Sequence, residues 1–308
     1  MKVAFLFSGQ YRKIDSNIFR KSLSILTKSL DYDVYCYSWE EEGKSLNHGN
    51  KIETINSSIS AEKKIINLFE GFNLKKIDSE NYKKFKNNLS TDYKYIYKSK
   101  SYKLGTINCL PQIYTLHKSY ELLLPFIDEY QLIFRCRLDS LFIHPLNIFP
   151  LEEIMKSNNL YTLNFGRAFY PNRVYDIFFG GSVNSMSFLN NIWWDFPELI
   201  GNDYDNKLDR RDCCRVIFLS ALTKNIHVKS LKTRICDIYR INYNSQYEFY
   251  LLSSHICSLN LDSKSFKAIF YFFKWCIFRK TNLIKLLFIF FKTLLLIPLS
   301  YIKRIKYI

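Results

Sequence analysis

The sequence predicts an α/β protein, a mixed sheet flanked by helices, followed by a basic amphipathic helical tail. Three observations carry this. A short apolar run at residues 3–7 stops at Ser8-Gly9 and is followed by helical spacing and a second apolar run. Further on, an apolar strand, residues 132–139, carries charged residues at every second position. Near the end, an apolar stretch is interrupted by lysines at helical spacing.

The elements follow in order. Residues 3–7 read as a first buried strand. Residues 16–30 place Ile18, Phe19, Leu23, Leu26 and Leu30 at helical spacing, and 33–38 read as a second strand. This β-loop-α-β opening is typical of nucleotide-binding α/β domains. Residues 40–100 are polar, with helical spacing only around Ile65, Ile66 and Phe69, and predict a variable region of one or two helices and long loops. Residues 108–130 predict a helix with Ile113, Leu116, Tyr120 and Leu123 on one side, ended or kinked by Pro125. After the charged strand come a short helix at 151–156, strands at 160–165 and 177–181, helices at 185–194 and 210–223, and a last strand at 226–229.

Composition narrows the class. A chain of 308 residues holds one large domain or two small ones. Its 26 Phe and 23 Tyr supply core material, and only 9 Gly and 7 Pro argue against a disordered or fibrous chain. The formal charge of +16 is uneven: residues 264–308 contain ten basic residues and no acidic one, leaving +6 for residues 1–263. That places a body at 1–263 and a basic hydrophobic tail at 264–308, and favours an anionic membrane surface over nucleic acid as partner. Lys267, Lys274, Lys285, Lys292 and Lys303 return to one helical face within about 20° per step, which suits a helix lying in the membrane interface. Eight cysteines form no C-x-x-C pair, and the five histidines show no metal-ligand spacing. The cysteines read as reduced thiols, and the short opening apolar run is unlike a signal peptide. Both predict a cytosolic protein, and the basic tail predicts one peripheral to the membrane.

Four segments carry candidate chemistry. In the charged strand, Arg135, Arg137 and Asp139 share one face, where burial without partners is costly. Two guanidiniums suit phosphates, and the carboxylate suits a metal, a sugar hydroxyl or an arginine. A purely structural Arg–Asp–Arg cluster explains the same pattern. The turn Ser8-Gly9-Gln10-Tyr11-Arg12 follows the first strand, where Gly9 lets backbone approach a ligand and Arg12 can pair with a diphosphate; an ordinary β–α turn is the alternative. Asp176 precedes a strand ending in Gly180-Gly181-Ser182, where the glycines would admit a bulky acceptor beside the backbone; a strand-to-helix turn capped by Ser182 is the alternative. Asp212, near a helix start, is either a dipole-compensating residue or a general base.

These segments, in this order, resemble a family of bacterial and viral glycosyltransferases found with surface-polysaccharide loci and related to WavE-type lipopolysaccharide synthesis proteins. Residues 2–12 are similar to its opening strand and S-G-Q-x-R turn. Pro111-Gln112-Ile113-Tyr114 with Lys118 is similar to its S-Q-x-Y-S helix. Tyr130 to Phe142 is similar to its Y-D-x-x-x-R-x-R-x-D-x-x-F segment, and Asp176 to Met186 to its D-x-F-x-x-G-S-x-x-x-M segment. The resemblance covers about residues 1–230. It implies a GT-A-like, Rossmann-like mixed sheet, a nucleotide-diphospho-sugar donor and a glycan or glycolipid acceptor. It also implies a Mn²⁺ or Mg²⁺ held by a D-x-D motif, but here Asp139-Ser140-Leu141 lacks the second acid, which leaves Asp139 as the one candidate metal ligand. Asp212 stands where the family has a Glu. On this reading Asp139 and Asp212 are catalytic; Ser8, Gly9, Gln10, Arg12, Arg135 and Arg137 bind the donor; and Asp176, Gly180 and Gly181 bind the acceptor. The missing acid also suits a non-catalytic module that binds saccharide or protein.

Overall fold

The computed structural model describes residues 1–12, 14, 16–43, 54–55, 60–90, 93, 104–142, 144–163, 173–202, 213–231 and 235–238. The expected tail, the boundary at 263 and Asp212 lie outside the described residues.

Seven strands form the main sheet among the described residues: β1 (Lys2–Gly9), β2 (Asp31–Trp39), β5 (Leu74–Glu80), β6 (Leu132–Arg137), β8 (Asn159–Leu163), β9 (Phe178–Ser182) and β10 (His227–Leu231). Their order is β10-β8-β9-β6-β1-β2-β5, and only β9 runs antiparallel to its neighbours. Four short strands stand apart in two pairs. β3 (Glu42–Gly43) pairs with β4 (Thr54–Ile55), and β7 (Ser140–Phe142) with β11 (Cys236–Ile238). From β1 the chain steps outward through β2 to β5, then returns to lay β6 on the other flank of β1. The direction of winding therefore reverses between β1 and β6, and in open α/β sheets such a reversal opens a crevice at the carboxyl ends of the strands.

The helices are α1 (Ser16–Leu26), α2 (Ala61–Leu68), α3 (Tyr82–Asn88), α4 (Leu104–Leu123), α5 (Leu151–Lys156), α6 (Val183–Met186), α7 (Phe196–Asn202) and α8 (Cys213–Thr223). Ser60 caps α2 and Asn81 caps α3, each side chain accepting a backbone N–H of the first turn. The long helix α4 gives way at Leu124–Glu129 to a 3₁₀ turn with Pro125 at its start, as Pro125 predicts.

Alternation along the strands builds two cores. On one face Ala4, Leu6, Tyr35, Ile133 and Phe179 pack with Ile113, Leu116, Tyr120 and Leu123 of α4. On the other, Phe7 meets Phe69 at 4.9 Å, Phe19 of α1 at 6.0 Å and Phe142 at 6.2 Å, all edge-on. Each such pair contributes about 0.5–1.5 kcal/mol beyond its buried area.

The expected strands at the start of the chain form slightly extended, as β1 and β2, while the helix expected over 16–30 ends at Leu26, followed by a turn with Ser29 at φ +60°. Among the described residues the polar region holds the helices α2 and α3, and also β5, a strand the sequence conceals. Its residues Leu-Lys-Lys-Ile-Asp-Ser-Glu lack strand propensity, and pairing with β2 at the sheet edge supplies the order. The expected helix at 185–194 is shorter: α6 ends at Met186 and a 3₁₀ turn spans Ser187–Asn190. The expected strand over 132–139 stops at Arg137. Leu138 and Asp139 form a turn, and the chain leaves the sheet as β7.

At the amino-terminal rim, Asp33 is buried and bound by Lys2 Nζ at 2.7 Å, by the Tyr130 hydroxyl and by the Asn73 amide. Tyr130 in turn meets the Tyr35 hydroxyl at 2.8 Å. This ties β1 and β2 to the residues that open β6. Burial pushes the Asp33 carboxyl up, but the hydrogen bonds from Lys2 and Tyr130 and the charges of Lys2 and Lys75 outweigh it and hold it below its ordinary value. A depressed carboxylate contributes stability that is complete above its unfolded-state pKa, about 3.9, and is lost as pH falls through the folded-state value. Asp33→Asn is expected to lower stability at pH 7 and to flatten the acid limb below about pH 4. Urea denaturation of both proteins from pH 7 to pH 2 measures this; parallel acid limbs would remove Asp33 from the account.

Candidate active site

The carboxyl ends of β1 and β6 bring together Ser8, Gly9, Gln10, Arg12, Arg135, Arg137, Asp139 and Asp176. Parallel pairing sets Ser8 beside Arg137 on one side and Tyr37 of β2 on the other. Gly9 follows at the end of β1 with φ +119°, a backbone conformation that L side chains rarely adopt. Nothing lies within 4 Å of where a Cβ at Gly9 would stand, so the space beside this backbone is open. Gln10 is half-buried in the same turn. Tyr11 is buried under Lys64, whose Nζ lies 5.9 Å from the ring centre. Burial, and then the Glu42 carboxylate, push the Tyr11 hydroxyl up to about 12.

Arg12 reaches across to Asp139, Nη1 to Oδ2 at 2.9 Å. Arg137 grips the same carboxylate with two bonds, Nε to Oδ1 at 2.7 Å and Nη2 to Oδ2 at 2.9 Å. Its Nη1 donates to Asp176 Oδ2 at 3.1 Å. The Cys214 thiol, at the start of α8, lies 3.7 Å from the other Asp176 oxygen and donates to it. The result is a chain Arg12–Asp139–Arg137–Asp176 that ties the β1 turn, the end of β6 and the approach to β9. Asp139 is 4% exposed and Arg137 16%. Removing one partner of so buried a pair typically costs about 3–5 kcal/mol, because the other charge is left uncompensated. Burial alone would make Arg137 less basic; the charges of Asp139 and Asp176 more than reverse this.

Arg135 lies deeper on the same face of β6. It is fully buried, donates from Nε to Ser8 Oγ at 3.2 Å, and its Nη1 has no hydrogen-bond partner. Burial makes this guanidinium less basic, and Asp176 offsets part of that. Three guanidiniums and two carboxylates therefore meet at this point, an excess of positive charge that attracts anions.

The three charged positions expected on one strand face are thus split. Arg135 and Arg137 belong to β6, while Asp139 sits in the following turn and folds back onto Arg137. Asp176, expected at a separate loop, is bound to Arg137 and so joins the same ion chain. Gly180 and Gly181 do not open onto the crevice. A Cβ at Gly180 would stand 2.3 Å from the Phe134 ring and 2.4 Å from the Ile133 carbonyl, and one at Gly181 would stand 2.2 Å from Ser185 Oγ. The protein itself fills the space these glycines leave, and antiparallel pairing carries them away from the carboxyl rim, with Gly181 opposite Ile133.

Among the described residues no three His, Cys, Asp or Glu side chains converge on one point. Both oxygens of Asp139 face guanidiniums, so as arranged the described residues do not fit a divalent ion. Positive charge at this site comes from arginines.

One polar group at the same rim escaped the sequence reading. Glu80 Oε2, at the end of β5, accepts from the Tyr37 hydroxyl at 3.1 Å and from the Tyr114 hydroxyl of α4 at 2.6 Å. Burial first pushes both phenols up; Tyr114 and then Glu80 add to this at Tyr37, and Glu80 adds to it at Tyr114. Tyr114 lies in a segment singled out by the family resemblance, but Glu80 lies in the polar region, where no periodicity marks it.

No protein-family model and no curated protein sequence matches the chain. Among solved structures, the chain is similar to mouse xyloside xylosyltransferase 1 in its apo form. That likeness has 11% identity and a TM-score of 0.43, and covers 75% of this chain and 85% of that one. It is also similar to the PaToxG glycosyltransferase, at 11% identity and a TM-score of 0.32, covering 89% and 84% of the two chains. Likenesses this shallow decide neither substrate nor mechanism, for which the geometry of the crevice is the guide.

Proposed function

We propose that this chain is a GT-A-like glycosyltransferase, moving a sugar from a nucleotide-diphospho-sugar to a glycan or glycolipid acceptor. The observation that carries this reading is the crevice at the reversal of winding. There the backbone at Gly9 is open, and Arg12, three residues on, joins a cluster with more guanidiniums than carboxylates. Transfer breaks the bond from the anomeric carbon to the diphosphate oxygen, and the departing diphosphate gathers negative charge. Arg12 and Arg137 are placed to stabilise that charge, with Arg135 beneath them, without help from a metal. Ser8, Gly9 and Gln10 line the approach to the nucleotide. Asp139 orients a donor-sugar hydroxyl, and Asp212 takes the proton from the acceptor hydroxyl.

The similarity of its sequence segments to the WavE-related family supports a surface polysaccharide or lipopolysaccharide as the acceptor. The basic tail at 264–308 supports work at the cytosolic face of an anionic membrane. Among the described residues no helix is long and apolar enough to cross a membrane. A second reading, a non-catalytic module that binds saccharide or protein, draws on one observation. The ion chain is satisfied within itself and can serve the fold alone.

Two experiments address these readings. Full-length protein incubated with a panel of nucleotide sugars and oligosaccharide acceptors, assayed by mass spectrometry, is expected to form product. Asp139→Asn should lower the rate about 100-fold or more while melting as a folded protein. A folded variant with undiminished transfer would remove Asp139 from the reaction, and no product across the panel would favour the binding module. For the tail, deletion of residues 264–308 is expected to move the protein from the membrane pellet to the soluble fraction while keeping transfer to a soluble acceptor. A truncated protein that still pellets would place membrane attachment elsewhere.

A further inference from the structure

We propose that the site works by counter-ion exchange. Asp139 holds, in the resting protein, the guanidinium faces that a diphosphate needs, and the arriving diphosphate displaces it. This rests on reading the crevice as a diphosphate site, as above. Arg137 presents Nε and Nη2 as a fork, and both donors are taken up by Asp139 at 2.7 and 2.9 Å. Such a fork accepts a carboxylate or a phosphate in the same bidentate manner and cannot hold both. Arg12 points its Nη1 at the same carboxylate. A diphosphate that reaches Arg12 and Arg137 must therefore take the place of Asp139, and its charge repels that carboxylate as it arrives.

The surrounding structure allows the exchange. Asp139 stands in the turn between β6 and β7, outside the hydrogen-bonded ladder of the main sheet, so it can move without unpairing a strand. Arg137 is the last residue of β6, and its Nη1 stays bound to Asp176. Arg135, buried below with its Nη1 unpartnered, keeps the floor positive after Asp139 leaves. The consequence is functional: the Asp139 carboxylate is released toward the sugar only when the donor is in place. An empty site keeps it masked.

Binding of inorganic pyrophosphate to the full-length protein, measured by calorimetry in EDTA, tests this. Wild type should bind weakly and Asp139→Asn at least fivefold more tightly. Asp176→Asn, which leaves the Arg137 fork on Asp139, should gain about twofold and serves if the first variant does not fold. Since removing any nearby negative charge helps an anion, a second readout is needed. The Arg137 Nε–H resonance of the wild type should shift as pyrophosphate saturates the site. An unmoved resonance, variants no tighter than wild type, or binding seen only after Mn²⁺ is added would each overturn the exchange. Wild-type binding with no gain in the variants defeats the exchange alone. If neither wild type nor variants bind pyrophosphate, with or without Mn²⁺, the diphosphate reading of the crevice fails as well.

Discussion

The two-bond pair between Arg137 and Asp139 is the interaction on which the rest of this site depends. It ends β6, turns the chain out of the sheet toward β7, and gives Arg12 a carboxylate to reach from the β1 turn. A guanidinium this buried needs a counter-charge, and Asp139 and Asp176 supply it from two different segments. Three stretches distant in sequence are held together by charge at the place where the winding of the sheet reverses.

The rest of the fold serves this placement. The aromatic core beneath β1 and β6 and the helix α4 above them leave the two strands no freedom to shift register, so Ser8 stays beside Arg137. At the far rim, the Asp33 network fixes the start of the same strands. Polar groups thus lie at both ends of the strands, with hydrocarbon between. They differ in character. At the Asp33 end a buried carboxylate is bound by Lys2, Tyr130 and Asn73, whereas the crevice carries more guanidiniums than carboxylates and an open backbone at Gly9.

Much of this was legible in the sequence, for reasons specific to each segment. The run at residues 3–7 read as a buried strand, and the strand forms there, running on through Ser8 to Gly9. Arg135 and Arg137 in an apolar strand pointed to charged partners nearby, because burying charge without them is costly, and Asp139 and Asp176 are those partners for Arg137. What could not be read was pairing. Nothing local shows that Asp139 folds back on Arg137, that Asp176 arrives from the turn before β9, or that Gly180 and Gly181 are consumed by Phe134 and Ser185. β5 and Glu80 were hidden for the same reason. Their order comes from neighbours, β2 and Tyr114, and not from their own propensity.

The central claim is that the β1–β6 crevice receives a diphosphate between the turn at residues 8–12 and Arg137. A crystal structure of the full-length protein soaked with a nucleoside diphosphate in EDTA tests it most directly. The account predicts phosphate oxygens within hydrogen-bonding distance of the Arg12 and Arg137 guanidiniums, with Asp139 turned away from both. A nucleotide bound elsewhere, or bound here with the Arg137–Asp139 pair intact, would contradict it.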